Sequence, residues 1–342
     1  MNKKSFSLSI LFSLLFHINA HVYGSDRSDP VSPAYSVSSS YGGINLLRDH
    51  FEKIQSTQVE ARHRAELILK GEISQSHLDS LTPETWSLIT AGMQTNGVGQ
   101  GKNSWNSPEG NIYATYTFMI PNSTEDDRDS ISNTMAIPQV TALSIAHMLE
   151  KYGMDAQIKW VNDVLVDHKK ISGILSESPG VVKVGESWYR VILLGIGINV
   201  NAAKKELSHI SQPATSMRET TGKDFDVNEV LDTLSGFLIP NITHLIKNGF
   251  SADIHSSIKD KLENFGHNPV IFDRGFDENR YIVGQIEGMG PAGELLLKRS
   301  DSQETSPYLN GRILKGKDVE VPLFSEFEKD LIHRLIKTDY FD

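Results

Sequence analysis

The order of the apolar runs constrains this chain more than any single motif. From Ile44 onward, a helical stretch over Val59–Lys70 is followed by two β-rich runs, Trp86–Met93 and Ile112–Ile120. The second run alternates Tyr113, Thr115 and Thr117 against apolar partners, as a strand does. Apolar residues then recur at helical spacing, which predicts a buried helix over Asn133–Tyr152. Short strands follow in succession at Gln157–Val161, Val164–Val166, Ile171–Ser176 and Arg190–Ile198. A doubly wound parallel sheet would place a helix between successive strands, so this order argues against it. What fits is an α+β fold, a mixed β-sheet with helices packed on it.

Local signals set the ends of the helices. Ser56-Thr57-Gln58 stand where their side chains can cap the first helix. Asp226-Val-Asn-Glu229 has capping-box spacing and opens a helix running to about Lys247, with another expected over Ala252–Asn264. After Pro269 the texture changes to short strands at Val270–Phe272, Tyr281–Ile286, Glu294–Lys298 and Gly311–Leu314, punctuated by Gly288, Gly290 and Gly293. This predicts a small all-β, barrel-like domain over 266–318, after a larger domain over 44–265. Residues 319–342 are expected to be a C-terminal tail that could form a helix.

The N-terminus has a separate texture. Lys3 and Lys4 precede an apolar run from Phe6 to Phe16, and Val22-x-Gly24 could be cleaved, so residues 1–24 read as a secretory leader. The alternative is an upstream start codon that adds a fortuitous leader to a cytoplasmic protein. The run is too short for a stable membrane span. Residues 25–43, rich in Ser, Pro, Gly and Tyr, are expected to be a flexible linker. The net charge of −10 argues against a general nucleic-acid binder, so phosphate must be met by locally placed cations and N–H groups. The absence of cysteine excludes thiolate nucleophiles, disulfides and cysteine-bound zinc.

Three segments carry polar groups suited to chemistry. Gln94-Thr-Asn-Gly97-Val-Gly99-Gln100-Gly101 leads to Trp105 and to Ser107-Pro-Glu-Gly110-Asn111. Glycines at alternate positions let backbone N–H groups approach an anion, and the loop suits a lid, although isolated glycine-rich loops are more often plain turns. Lys159-Trp-Val-Asn162-Asp163 precedes Lys169-Lys170-Ile-Ser-Gly173. Lys170 opens an apolar strand, where a fixed ammonium could neutralise charge on a phosphate, and Asp163 could hold Mg²⁺; a solvated turn would look much the same. Gly195-Ile-Gly-Ile-Asn199 closes the last strand of the larger domain, and Asn199 offers a donor and an acceptor to an adenine edge or to a strand-end turn.

Taken in order, these segments resemble the catalytic domain of biotin–protein ligases. The matching residues are Ser56-Thr57, Gln94 to Gly99, Trp105 to Asn111, Lys159 to Asp163, Lys170 to Gly173, Gly195 to Asn199 and Pro213-Ala-Thr-Ser-Met-x-Glu219. The resemblance implies a class II synthetase-like fold over 44–265 and the substrates biotin and ATP with Mg²⁺. Biotin carboxylate would attack the α-phosphate, and a lysine of a biotin carboxyl carrier protein would then take the biotinyl group. It implies that Ser56, Thr57, Gln58, Gln94, Gly97, Gly99, Gln100 and Gly173 bind biotin. Trp105, Asn162, Asp163 and Asn199 would serve the nucleotide, Asp163 also Mg²⁺, and Lys170 would be catalytic. Cytoplasmic location follows from the substrates, and a homodimer is compatible with the family.

The chain departs from the family at Val98 and Gln100, where arginines are usual. No winged helix-turn-helix is seen ahead of the domain. Two alternatives share parts of the pattern: a lipoate–protein ligase-like acyl transferase, and a non-catalytic exported biotin-binding protein.

Overall fold

The computed structural model describes residues 32–72, 82–123, 130–208, 210, 212–263, 265–266, 269–274, 281–290, 293–308 and 311–314. The expected leader at 1–24 and tail at 319–342 lie outside these residues. The chain begins with strands Tyr35–Tyr41 (β1) and Ile44–Ile54 (β2), helix Thr57–Leu69 (α1) and strand Thr85–Gln94 (β3). A hairpin of Gly97–Val98 (β4) and Ser104–Trp105 (β5) precedes the long strand Ile112–Asn122 (β6). Helix Ser130–Lys151 (α2), strands Ala156–Lys159 (β7), Asp163–Val166 (β8), Lys169–Val184 (β9) and Ser187–Ile198 (β10) follow. Short helices Lys204–Leu207 (α3) and Met217–Thr221 (α4) lead to Val227–Asn248 (α5) and Ala252–Lys259 (α6). The last strands are Val270–Asp273 (β11), Tyr281–Met289 (β12), Leu295–Arg299 (β13), Thr305–Tyr308 (β14) and Arg312–Leu314 (β15).

The chain divides into two compact units, one of Met1–Ser130 with Leu175–Glu206, the other of Ile131–Ile174 with Leu207–Asp342. Within β9 the chain passes from the second unit to the first, between Ile174 and Leu175. In the first unit the strand order is β1-β2-β3-β6-β10-β9, mixed because β2 and β3 run parallel while β6 is antiparallel to both β3 and β10. Helix α1 lays Ala61 and Ala65 on Phe51, Ile89, Met119, Val191 and Leu193 of the sheet. Small residues on the helix let it approach the strands closely.

Part of the expected linker is strand. Tyr41 pairs with Ile44 across Gly42-Gly43, both at positive φ (57° and 87°), the geometry a two-residue hairpin needs. All of β1 except Tyr41 is exposed, and Ser39 interrupts the alternation of Tyr35, Val37 and Tyr41 with serines, so the run is too weak to mark a strand.

The second unit is built on two long helices. Helix α5 buries Val230, Leu231, Leu234, Leu238, Ile242 and Leu245 along one face, and Asp226 caps it by accepting from the N–H groups of Asn228 and Glu229. Asn241 on α5 donates to Ser144 on α2 at 3.0 Å. Helix α6 stops at Lys259, short of the expected Asn264, and the following turn pairs Glu263 N with Ile158 O at 2.9 Å. Strand β7 thus claims the backbone that the helix would have used.

Among the described residues the C-terminal strands form an open antiparallel sheet, β14-β13-β12-β11-β15, rather than the expected barrel-like closure. Its edges, β14 and β15, are only four and three residues long, and closure needs staggered strands that continue the hydrogen-bond ladder around the axis. Among the described residues no helix is long and apolar enough to cross a membrane.

Candidate active site

In the first unit, parallel pairing of β2 with β3 brings Gln94 to the start of α1. Its Oε1 accepts from the Thr57 backbone N–H at 2.8 Å and from the Thr57 hydroxyl at 3.2 Å. Gln94 therefore caps a helix N-terminus whose first N–H groups have no partner within the helix. This replaces the local capping expected of Ser56: its side chain makes no cap bond, and its Oγ is buried without a hydrogen-bond partner. Gln94 Nε2 donates to Ser107 Oγ at 2.8 Å, and Ser107 donates to the carbonyl of Trp105 at 2.9 Å.

Gly97 sits inside this cluster. A Cβ there would lie 2.5 Å from Trp105 O, 2.6 Å from Ser107 Oγ and 2.9 Å from Gln94 Nε2, so any side chain would break it apart. Gly99 N donates to Asn103 O at 2.8 Å within the β4–β5 hairpin, and Gln100 and Lys102 lie exposed at its tip. The Trp105 indole packs against Gly197 of β10, where a Cβ would overlap the ring.

The cluster continues inward. Thr115 of β6, fully buried, bonds Thr57 Oγ1 at 3.0 Å and Gln58 Oε1 at 3.2 Å. Gln58 Nε2 donates to Glu177 at 3.1 Å. Ser107, Thr115 and Glu177 were not among the expected site residues. Ser107 lies in a quoted motif, but the other two become neighbours of Gln58 only through strand register.

Asn111 ties two loops together. Its Oδ1 accepts from the backbone N–H groups of Val200, Asn201 and Ala202 at 2.8, 3.1 and 3.0 Å, and its Nδ2 donates to the carbonyls of Pro108 and Glu109. Tyr113 donates to Pro108 O at 2.6 Å, and burial pushes its phenol well above the ordinary range, making it a permanent donor. The turn after Ser107 is thereby fastened to the segment that carries Asn199, itself buried.

In the second unit, Lys170 Nζ lies 2.7 Å from Asp163 Oδ1. Register explains the pair. Asp163 faces Gly173 and Val164 faces Ser172, but a bulge then sets Leu165 opposite Lys170. Without the extra residue Lys170 would fall opposite Val166 and point to the other face of the sheet. The bulge turns it to the face shared by Leu165 and Asp163. Both sides of its backbone are held, since Lys170 N donates to Pro213 O and Thr215 N donates to Lys170 O, each at 2.9 Å. The Pro213–Glu219 motif thus braces the lysine strand, and Ser216 goes on to cap α4 through Glu219 N.

Asn162 has a structural task here: its O accepts from Ile174 N at 2.9 Å and its Nδ2 donates to Ile174 O at 3.1 Å, closing the turn before Asp163. Trp160 donates to Gly293 O at 3.3 Å and packs on Phe272, and Gln139 of α2 reaches the same carbonyl at 3.2 Å. The C-terminal sheet therefore holds the segment that bears Asp163. Gly173 stands directly opposite Asp163.

Residues 70–199 match the Biotin/lipoate A/B protein ligase family. Over 142 residues it is 30% identical to the bifunctional ligase/repressor BirA of Bacillus subtilis, covering 41% of each chain, so it spans less than half of that relative. Over 231 residues it is 28% identical to the biotin–(acetyl-CoA-carboxylase) ligase of Paracoccus denitrificans, covering 66% of this chain and 89% of that one. Its fold is that of the biotin protein ligase of Aquifex aeolicus in complex with biotin and ATP (TM-score 0.57, 24% identity, 78% of this chain and 97% of that one).

Proposed function

We propose that this chain is an ATP-dependent biotin–protein ligase. The observation that carries the reading is the buried polar cluster around Thr57 and Gln94, with the unpartnered Ser56 Oγ beside it in sequence. A buried polar group costs about 1–3 kcal/mol when it has no partner. A cyclic urea brings two N–H donors and a carbonyl acceptor, which suits such a set of hydroxyl and amide groups. The dithiolane of lipoate offers no donor and would leave the cluster unmatched.

The first step joins the biotin carboxylate oxygen to the α-phosphorus of ATP and breaks the bond to pyrophosphate. Lys170 neutralises charge that develops on the phosphate oxygens, and Asp163 holds its ammonium in place. Mg²⁺ arriving with the triphosphate needs one or two carboxylate oxygens, and Asp163 has a second oxygen outside its pair with Lys170. In the second step a neutral lysine amine of a biotin carboxyl carrier protein attacks the activated carbonyl carbon, forms an amide, loses its proton and expels AMP. We assign Gln58 and Gly97 to the shape of the biotin site, Gly99 and Gln100 to its loop, and Trp105 and Asn199 to adenine. Because ATP and apo-carrier are cytoplasmic, we place the working enzyme there.

The test is pyrophosphate release by purified protein given biotin and MgATP, followed by transfer to an apo-carrier domain. Release that requires both substrates is the expected result. Biotin binding without release would favour the non-catalytic binding protein, and release with lipoate but not biotin would favour the lipoate ligase.

A further inference from the structure

Beyond the groups assigned to the ligand lies a charged pair with no role in the chemistry above. Arg62, one turn after Gln58 on α1, grips Glu177 of β9 with Nη2 at 2.8 and 2.9 Å from the two oxygens and Nε at 3.2 Å. The same carboxylate accepts from Gln58 Nε2 at 3.1 Å. Glu177 is partly exposed, while Gln58 is buried. The chain of contacts then runs inward through Thr115 to Thr57 and Gln94.

The direction of donation along this chain follows from proton counting. A carboxylate can only accept, so Gln58 must turn its NH₂ outward to Glu177 and its carbonyl inward to Thr115. Gly195, the cross-strand partner of Thr115, leaves the room: a Cβ there would lie 2.5 Å from Gln58 Oε1. Thr115 has one hydroxyl proton and two acceptors in reach, Gln58 Oε1 and Thr57 Oγ1. If the proton goes to Gln58, Thr57 directs its own proton at Gln94 Oε1 and keeps its lone pairs for a ligand. If Gln58 were reversed, its NH₂ would donate to Thr115, Thr115 would donate to Thr57, and Thr57 would keep one lone pair for a ligand instead of two.

We propose that Glu177, held by Arg62, is a positioning residue that sets the polarity of this relay so that Thr57 presents an acceptor to a ligand N–H. The inference rests on the biotin ligase reading, and it makes the site selective for ligands with a urea-type donor. Glu177 acts through Gln58 and Thr115 and does not touch substrate.

The test is a double-mutant cycle on the full chain. Glu177→Gln keeps the shape but supplies a group that can donate, so Gln58 is free to reverse. It raises the biotin Kd about three- to tenfold, the scale of one hydrogen bond between neutral groups, while kcat at saturating biotin and the KM for ATP stay within about twofold. Thr115→Val interrupts the relay downstream, and in that background Glu177→Gln adds less than about twofold. Arg62→Met, which releases Glu177 without replacing it, shifts the biotin Kd in the same direction by less. Equal effects of Glu177→Gln in both backgrounds, or a KM for ATP that rises together with the biotin Kd, would overturn the proposal. Wild-type protein that binds no biotin sinks this inference and the ligase reading together. Wild type that binds biotin while Glu177→Gln leaves its Kd unchanged sinks the positioning role alone.

Discussion

The polar cluster of the first unit and that of the second are built from different materials. Around Thr57 and Gln94 the groups are neutral hydroxyls and amides in a branching set of hydrogen bonds, and charge enters only at the rim with Glu177 and Arg62. Around Asp163 the arrangement is one ion pair on a bulged hairpin. A neutral network reads the donor and acceptor pattern of a ligand, and each hydrogen bond in it contributes a net 0.5–1.5 kcal/mol or so. A fixed ammonium reads little but can stabilise charge that appears only in the transition state. Under the proposed function, recognition falls to the neutral cluster and electrostatic catalysis to the ion pair.

The largest expected effect breaks the second cluster. Lys170→Ala should cost several kcal/mol in the adenylation barrier, on the order of 2.7–4 as for loss of an oxyanion donor, and leave biotin affinity within a few-fold. Pyrophosphate release and equilibrium binding separate the two quantities. Near wild-type turnover would move the catalytic assignment to Lys169.

Gly97→Ala strikes the first cluster instead. The added methyl must displace Gln94, Ser107 or the Trp105 carbonyl, and overpacking of this kind costs about 1–3 kcal/mol. Biotin Kd should rise roughly ten- to hundredfold at about 1.4 kcal/mol per tenfold, with the KM for ATP changed less. A variant that binds biotin normally would show that the cluster is not the biotin site.

The loop departure sharpens the contrast from the other side. Gln100→Arg would add a charged donor near the hairpin tip, worth roughly 1.5–3 kcal/mol if it meets a phosphate. Biotinyl-adenylate should then leave roughly ten- to hundredfold more slowly, and bystander labelling on a blot should fall. If wild type already retains the intermediate and Lys102→Ala releases it, Lys102 has taken over that task.

Asn111→Ala leaves the N–H groups of Val200, Asn201 and Ala202 without their shared acceptor and should lower stability by about 1–3 kcal/mol in a denaturant titration. Unchanged stability would mean that water replaces the amide at little cost. The smallest effect is expected of Trp160→Phe, which keeps the packing on Phe272 but loses the bond to Gly293 O, about 0.5–1.5 kcal/mol. A fall in turnover larger than this would reveal that the C-terminal sheet sets the position of Asp163 as well as supporting it.

Much of this was legible in the residues. The helix opened by Asp226, the long strands β6 and β10, and the pairing of an apolar strand with Lys170 all follow from local spacing. The β1 strand was hidden because four of its seven residues are serine and Ser39 breaks its alternation, and the open C-terminal sheet looked like a barrel because strand spacing does not say whether edges meet. Ser56 looked like a cap because its type and place are right, but a glutamine from another strand took the N–H group.

The sequence by itself determined which segments are strand, helix or glycine turn, because those choices depend on side-chain period and on backbone freedom within a few residues. It also determined which residues bear charge or hydrogen-bonding groups. Only the tertiary structure decided what these groups face. One bulged residue turned Lys170 toward Asp163, and the register of β6 against β10 set Thr115 opposite Gly195, where Gln58 could enter. Side-chain direction in a sheet alternates with every residue, so a shift of one position reverses a contact while leaving the composition of the strand untouched.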